Sequence, residues 1–183
     1  MLHCLVRDIS FFSHVDAFCT CCSYFQYDYG YYVVKDAANT HVGGFKGGLS
    51  GVLHEDVVPL RIDFDTSPIG EFTAALGFSA NKDPSFRYCA KTMGTKTAVA
   101  GYANYFLDNC GLTGGLSGGP WSTDMDKSGV GTVISVNSWG FEGSPSMAGP
   151  SFRTRDGSHA ECLFEQSKSA AKPGSSNGII VNC

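Results

Sequence analysis

The segment that most restricts the fold of this chain spans residues 114–121 and reads Gly-Gly-Leu-Ser-Gly-Gly-Pro-Trp. Glycine is a poor helix former, and the proline at position 120 stops any helix beyond its first turn. The segment therefore predicts a tight turn that does not continue as a helix. The glycines also leave the hydroxyl group of Ser117 and the neighbouring backbone N–H groups open to a substrate, as acyl-transfer chemistry requires. Ser117 is therefore the candidate nucleophile.

The composition favours β structure. The 183 residues include 23 glycines, and only 16% are charged while 43% are hydrophobic, which is typical of short strands and turns. We predict an all-β protein with one domain over residues 1–172 and a flexible tail over residues 173–183. Local patterns predict a short helix at residues 160–171 and strands within residues 27–34, 52–64, 72–78 and 129–139.

The net charge argues against two classes of partner. At −4 it provides no electrostatic attraction for nucleic acid or for an anionic membrane surface. The sequence contains no run of about 18 apolar residues, which excludes a transmembrane helix. We therefore expect no nucleic-acid partner and no membrane partner.

The eight cysteines indicate an oxidising compartment. Their even number is typical of secreted proteins with disulfides, although the first residues lack the basic and apolar regions of a signal peptide. We therefore expect a secreted protein whose N terminus is missing from this chain or misassigned. A disulfide between Cys89 and Cys110 would close a loop just before Ser117, and we predict this pairing.

Metal binding is the alternative interpretation of three closely spaced cysteines, Cys19, Cys21 and Cys22. A zinc site of the finger type needs a second pair of cysteine or histidine ligands at a fixed spacing, and none follows these three. We therefore expect no metal.

Two motifs in order resemble the trypsin-like (chymotrypsin-fold) serine proteases. The first is the Gly-Leu-Ser-Gly-Gly-Pro sequence around Ser117, and the second is Ser138-Trp139-Gly140, about 20 residues later. The resemblance covers roughly residues 24–152 and is closest to the secreted trypsin-like and glutamyl-endopeptidase-like branch. It implies a double β-barrel and an enzyme that hydrolyses peptide bonds through an acyl-enzyme. It also implies a monomer that acts on protein or peptide substrates without a cofactor.

The same resemblance implies a role for individual residues. In that family the catalytic triad follows the chain order His, Asp, Ser, and Asp28 and Ser117 have this order. Asp28 would orient the histidine, Ser117 would attack the scissile carbonyl, and the N–H groups of Gly115 and Ser117 would form the oxyanion hole. The segment from Ser138 through Trp139 to Gly140 would line the primary specificity site.

The catalytic base is the least constrained member of the predicted triad. His3, followed by Cys4, resembles the His-Cys pair of the family, and we predict His3 as the base. His3 lies only 25 residues before Asp28, so we expect an abbreviated first barrel. His14 lacks any resemblance to the family motif. The remaining histidines, His41, His54 and His159, do not have the expected order.

Two departures from the family pattern affect regulation and specificity. Leu116 stands where trypsin has the aspartate that pairs with a newly cleaved N terminus, so that zymogen switch is absent. Asn137 stands where glutamate-specific relatives have a histidine, so the primary specificity stays open.

Two other function classes compete with the protease interpretation. Gly115-x-Ser117-x-Gly119 also fits the nucleophile elbow of α/β-hydrolases, with Asp156 and His159 following in that order. An elbow serine must lead into a helix, and the Gly-Gly-Pro sequence after Ser117 disfavours one. The second alternative is a catalytically inactive, protease-like binding domain or fragment that lacks the triad histidine.

Overall fold

The computed structural model describes residues 2–4, 28–33, 58–79, 86–97, 103–112, 114–141, 144–153 and 159–170. These residues form strands followed by one helix, α1 (His159–Ala170). The strands are β1 (Leu2–Cys4), β2 (Tyr31–Val33), β3 (Arg61–Ile62), β4 (Phe72–Phe78), β5 (Phe86–Thr92), β6 (Gly94–Thr97), β7 (Ala103–Leu107), β8 (Pro120–Thr123), β9 (Thr132–Val136), β10 (Trp139–Phe141) and β11 (Ser144–Gly149). The all-β prediction is confirmed.

The described strands form sheets of two, four and five strands. The strand order is β3-β9-β8-β4-β5 in the largest sheet and β10-β11-β7-β6 in the next, and β1 pairs with β2. Neighbours are antiparallel except β3 and β9, which run parallel. Among the described strands, no pairing joins the two larger sheets into a closed barrel.

Met93 connects the two larger sheets. It lies between β5 and β6, so the chain leaves one sheet and enters the other at this residue. Its N–H donates to Glu71 O at 2.8 Å, and its carbonyl accepts from Gly70 N at 2.9 Å. Met93 is only 2% exposed. The bend is therefore fixed by hydrogen bonds and by a buried side chain.

The space between the two larger sheets contains a hydrophobic cluster that we call the inner core. It includes Ala75 of β4, Trp121 of β8 and Leu107 of β7, all fully buried. Burial of large side chains such as Trp121 is the main stabilising term in a cluster of this kind. The remaining members are Cys89, Met93, Tyr105, Leu112, Leu116, Ile134 and Met147.

The predicted disulfide between Cys89 and Cys110 is confirmed. It joins Cys89 on β5 to Cys110, three residues after the end of β7, with a Cα–Cα distance of 5.4 Å. Cys89 belongs to the inner core and Cys110 packs against it. The disulfide therefore closes the loop of chain that precedes Ser117.

A second cluster, the helix-side cluster, covers the other face of β9. It consists of Tyr29, Phe64, Val133, Val136, Phe152 and Ala160. The ring of Tyr29 contacts that of Phe152 edge-on at 5.4 Å between centroids, and Tyr31 contacts Phe164 of α1 at 5.6 Å. This cluster therefore holds the segment of residues 28–33 against the largest sheet.

Most of the predicted elements are present with changed limits. The strand at residues 72–78 and the helix near residues 160–171 are confirmed. The strand predicted at residues 27–34 is wrong in extent, since it covers Tyr31–Val33 and leaves Asp28 before it. The segment of residues 129–139 divides into β9 and the start of β10, and within residues 58–64 only Arg61–Ile62 is a strand.

Two further predictions fall outside the described residues. They concern the tail at residues 173–183 and the three cysteines Cys19, Cys21 and Cys22. In the described part of the chain, no helix is long and apolar enough to cross a membrane.

Candidate active site

Ser117 lies in a tight turn that we call the serine loop, residues 115–119. The N–H of Gly119 donates to Leu116 O at 3.0 Å and closes the turn around Ser117. Leu116 is 1% exposed and belongs to the inner core, whereas Ser117 is half-buried. The turn is followed directly by β8, which begins at Pro120, so no helix follows the serine as a nucleophile elbow requires.

Gly118 and Gly119 of the serine loop cannot be replaced without strain. Gly118 has a φ of +82°, a left-handed conformation that side chains rarely adopt. A Cβ atom on Gly119 would lie 1.9 Å from Leu76 O, inside the contact distance of any pair of atoms. The backbone of the loop is therefore packed directly against β4.

Two N–H groups of the serine loop have no hydrogen-bond acceptor among the described residues. Within the described ranges, no hydrogen bond is made by the backbone N–H of Gly115 or of Ser117. Gly115 is exposed and has a φ of +92°. An oxyanion hole needs N–H donors that are not already paired, and the assignment of Gly115 and Ser117 to such a hole stays a prediction.

Ser138 contacts both Asp28 and Ser117. Its hydroxyl donates a hydrogen bond to Asp28 Oδ2, and its carbonyl accepts one from Ser117 Oγ at 3.4 Å. Ser138 is 2% exposed, and its own N–H donates to Ala148 O of β11 at 3.0 Å. A single buried residue therefore brings the predicted nucleophile and the predicted aspartate to one place.

The predicted base lies on the strand beside the aspartate segment. His3 is the central residue of β1 and is in register with Tyr32 of β2, and Asp28 lies three residues before β2 begins. The backbone therefore places His3 and Asp28 on adjacent segments. Of the remaining histidines, His159 is the first residue of α1, and His14, His41 and His54 lie outside the described residues.

The predicted substrate-binding segment forms a strand at the end of a sheet. Trp139 and Gly140 belong to β10, the terminal strand in the order of the four-stranded sheet. Trp139 is half-buried and Gly140 is exposed, whereas Ser138 is buried against Asp28. The side chain of Ser138 thus binds Asp28, and Trp139 and Gly140 form the accessible part of the segment.

Titratable groups with shifted pKa values lie away from the serine loop. Burial raises the pKa of the Tyr105 hydroxyl, although a hydrogen bond from Ser151 opposes the shift. Hydrogen bonds from Ser128 and Val130 lower the pKa of Asp126 in the turn between β8 and β9. Neither group contacts Ser117 or Asp28.

An acidic cavity of about 320 Å³ is also separate from the serine loop. Its walls include Asp63, Glu71 and Asp124, and none of the predicted site residues. Burial raises the pKa of Asp63, but hydrogen bonds from Thr66 and from the backbone outweigh this and lower it. Among the described residues, no group of three or more His, Cys, Asp or Glu side chains could hold a metal ion.

Comparison with solved structures identifies the fold. The chain superposes on a thermostable serine protease, AL20, from an extremophilic microorganism, with a TM-score of 0.58 and 25% identity. It also superposes on the protease Anisep from Arthrobacter nicotinovorans, with a TM-score of 0.56 and 25% identity. The chain has a serine-protease fold. The predicted all-β, chymotrypsin-like fold is therefore confirmed.

The alignments cover most of this chain and less of the two proteases. They include 79% of this chain and 60% of AL20, and 80% of this chain and 58% of Anisep. The chain thus spans about three fifths of the length of each neighbour. No protein-family model and no curated protein sequence matches the chain.

The structure gives two residues, Asn137 and Trp121, a place beside the serine loop that was not predicted for them from the sequence. Asn137 is fully buried, and its Oδ1 accepts a hydrogen bond from Trp121 Nε1 at 2.6 Å. The available signal in the sequence was their position, because each directly adjoins a motif: Trp121 follows Pro120, and Asn137 precedes Ser138.

Proposed function

We propose that this chain is a serine endopeptidase that hydrolyses peptide bonds through an acyl-enzyme on Ser117. The observation that carries the proposal is the position of Ser138, whose hydroxyl binds Asp28 and whose carbonyl binds Ser117. Two predicted triad members that are distant in the sequence therefore meet at one buried residue. Their chain order and the serine-protease fold also support the proposal.

In the proposed reaction, Ser117 Oγ attacks the scissile carbonyl carbon while the imidazole of His3 takes its proton. Asp28 holds that imidazole in the required tautomer and stabilises its positive charge. The negative charge that develops on the carbonyl oxygen is bound by the N–H groups of Gly115 and Ser117.

The tetrahedral intermediate then loses its amine, which receives the proton from His3, and an ester on Ser117 remains. Water attacks this ester in the second half of the reaction, again with His3 as the base. The carboxylic acid product leaves, and Ser117 regains its proton. No cofactor enters either step.

We propose that an extended protein or peptide substrate lies along β10, which contains Trp139 and Gly140 and is the terminal strand of its sheet among the described strands. The disulfide between Cys89 and Cys110 supports an extracellular site of action, since such bonds persist in oxidising compartments. We further propose that the protein acts as a trypsin-like enzyme in its monomeric form.

A fluorophosphonate probe tests the nucleophile, because only an activated serine hydroxyl displaces its fluoride. The full chain, folded under oxidising conditions, should gain one adduct on Ser117, and Ser117→Ala should gain none. Replacing each of the five histidines in turn by Ala identifies the base. We expect His3→Ala to abolish labelling, and loss in a different variant would reassign the base.

A second candidate function is that of a protease-like binding domain without a working triad. The observation in its favour is that Ser117 Oγ donates to the Ser138 carbonyl, so its proton is directed to a backbone oxygen. A correctly folded and oxidised chain that stays unlabelled at Ser117 would favour this alternative over the endopeptidase.

A further inference from the structure

We propose that Asn137 is a positioning residue that fixes the serine loop through its buried side chain. Its effect on turnover rests on the proposed endopeptidase function, whereas its effect on the loop does not. Four hydrogen bonds and one close packing contact carry the inference, and all of them lie within the described part of the chain.

The backbone of Asn137 binds the serine loop twice. Its N–H donates to Gly119 O at 2.8 Å, and its carbonyl accepts from Gly118 N at 2.8 Å. The two glycines are the next two residues after Ser117. These two bonds join the loop to the end of β9, so a shift of Asn137 displaces the backbone next to the nucleophile.

The side chain of Asn137 joins two other strands. Its Oδ1 accepts from Trp121 Nε1 of β8 at 2.6 Å, and its Nδ2 donates to Leu76 O of β4 at 3.0 Å. Asn137 and Trp121 are both fully buried. Since an unpaired polar group in such a place costs free energy, the amide and its two partners hold one another in a single arrangement.

The amide group also contacts the loop by packing. A Cβ atom on Gly119 would lie 2.9 Å from Asn137 Nδ2 and 1.9 Å from Leu76 O. The loop backbone therefore rests on the same two groups that the amide joins by a hydrogen bond. Loss of the amide removes a wall of the loop as well as the bonds to β4 and β8.

Asn137 also precedes Ser138, the residue that contacts Asp28 and Ser117. One dipeptide thus holds the serine loop through its first residue and the aspartate through its second. Neither Leu nor Asp satisfies both neighbours of the amide, because Leu has no polar side-chain atom and Asp at neutral pH has no donor for Leu76 O.

Two variants test this role. Asn137→Leu removes both side-chain bonds, whereas Trp121→Phe removes the indole N–H donor and part of the buried ring volume and leaves Asn137 in place. Asn104→Leu is the matched control, because Asn104 is a buried asparagine (2% exposed) on β7 of the other large sheet. All are compared as full, oxidised chains at a temperature well below their unfolding transitions.

Hydrogen–deuterium exchange of the serine loop is the first readout, and it needs no enzymatic activity. We expect exchange at the Gly118 and Gly119 amides to become about tenfold faster in Asn137→Leu, with a smaller change of the same sign in Trp121→Phe. Asn104→Leu should leave these amides at the wild-type rate. Wild-type exchange in a folded Asn137→Leu, or in Trp121→Phe if the first variant does not fold, would overturn the proposal.

The second readout is hydrolysis of a peptide substrate and the rate of fluorophosphonate labelling. We expect Asn137→Leu to lower kcat and the labelling rate by about tenfold to a hundredfold, with KM changed by about twofold or less. Partial unfolding would also lower the apparent kcat without changing KM, so each rate is divided by the folded fraction measured by circular dichroism. Unchanged kcat with faster loop exchange would overturn the claim that the positioning serves catalysis.

The two proposals fail in different ways. If the wild type is not labelled while Asn137→Leu loosens the serine loop, the endopeptidase proposal fails and the structural role of Asn137 stands. If the wild type is labelled and the Asn137→Leu loop is as protected as the wild type, the positioning role fails alone.

Discussion

Ser117 and Asp28 lie in two parts of the molecule that are held in place by different means. The serine loop is fixed by backbone hydrogen bonds, by glycines that pack against β4 and by the buried Leu116 of the inner core. The segment that contains Asp28 is fixed by aromatic rings of the helix-side cluster and by one hydrogen bond from Ser138.

This difference separates the geometry of the nucleophile from its activation. The nucleophile depends mainly on contacts with β4, the end of β9 and the inner core, so its geometry should survive changes in the helix-side cluster. The aspartate depends on docking of a short segment against α1 and β9, so its position should respond to changes in that contact.

The largest effect on activity should come from Asp28→Asn. Removing the carboxylate charge leaves an imidazole without its orienting partner, and we expect the labelling rate of Ser117 to fall by about 10³-fold or more. The free energy of unfolding should change little, because Asp28 is half-buried and has one described side-chain bond. Labelling kinetics together with urea denaturation measure both quantities. An unchanged labelling rate would remove Asp28 from the proposed triad.

Among changes in the serine loop, Gly119→Ala should have the largest effect. Its added methyl group would overlap Leu76 O, so the serine loop must move, and we expect a loss of about 3 kcal/mol in unfolding free energy. Labelling of Ser117 should be lost as well. Gly94→Ala is the control, because a Cβ atom there would lie 3.5 Å from Phe106 O, an ordinary contact. Equal stability of the two variants would contradict this account.

A similar loss of stability, without loss of loop geometry, should follow removal of the disulfide. Cys89 and Cys110 are 21 residues apart, and opening a loop of that length costs about 3 kcal/mol by the loop-entropy estimate. Thermal unfolding of the Cys89→Ser, Cys110→Ser double variant measures this. The folded fraction should still label at Ser117, and a folded variant that does not label would show that the disulfide shapes the loop directly.

Phe164→Ala should weaken the packing of the segment that contains Asp28 and leave the serine loop unchanged. The Phe164 ring of α1 contacts Tyr31 and Phe64, and it is half-buried, so we expect a loss of about 2 kcal/mol. Hydrogen–deuterium exchange should increase over residues 28–33 and not in the serine loop. Equal increases in both regions would mean that the two sides are one cooperative unit.

The smallest effect should come from Asp126 in the turn between β8 and β9. Hydrogen bonds hold its folded pKa below the ordinary value of 3.8, so its contribution to stability is complete above that pH. The contribution is lost as the pH falls through the lowered folded pKa. The difference in stability between wild type and Asp126→Asn, measured from pH 6 to pH 2, should shrink toward the acidic end. A difference that grows toward acid would contradict the direction of the shift.

Local sequence patterns predicted the elements whose contacts are local. The strand at residues 72–78, the helix that begins at His159 and the pairing of Cys89 with Cys110 all follow from alternation, periodicity or spacing. The turn at Ser117 followed from its glycines. The family motifs also predicted the fold, because a short sequence around the serine is distinctive.

Contacts between distant residues could not be predicted in the same way. The predicted strand at residues 129–139 breaks at Asn137 because its backbone binds the serine loop, and Ser138 then pairs with Ala148. The predicted strand at residues 27–34 begins later because Tyr29 packs on Phe152. Neither partner is visible in the local pattern, since each lies in another part of the fold.

The most direct test of the central claim is the cleavage of an unfolded protein by the full, oxidised chain, with new N termini identified by mass spectrometry. We expect new N termini with the wild type and none with Ser117→Ala, with both proteins equally folded by circular dichroism. The same new N termini from both proteins, or none from the folded wild type, would contradict the claim that Ser117 hydrolyses peptide bonds.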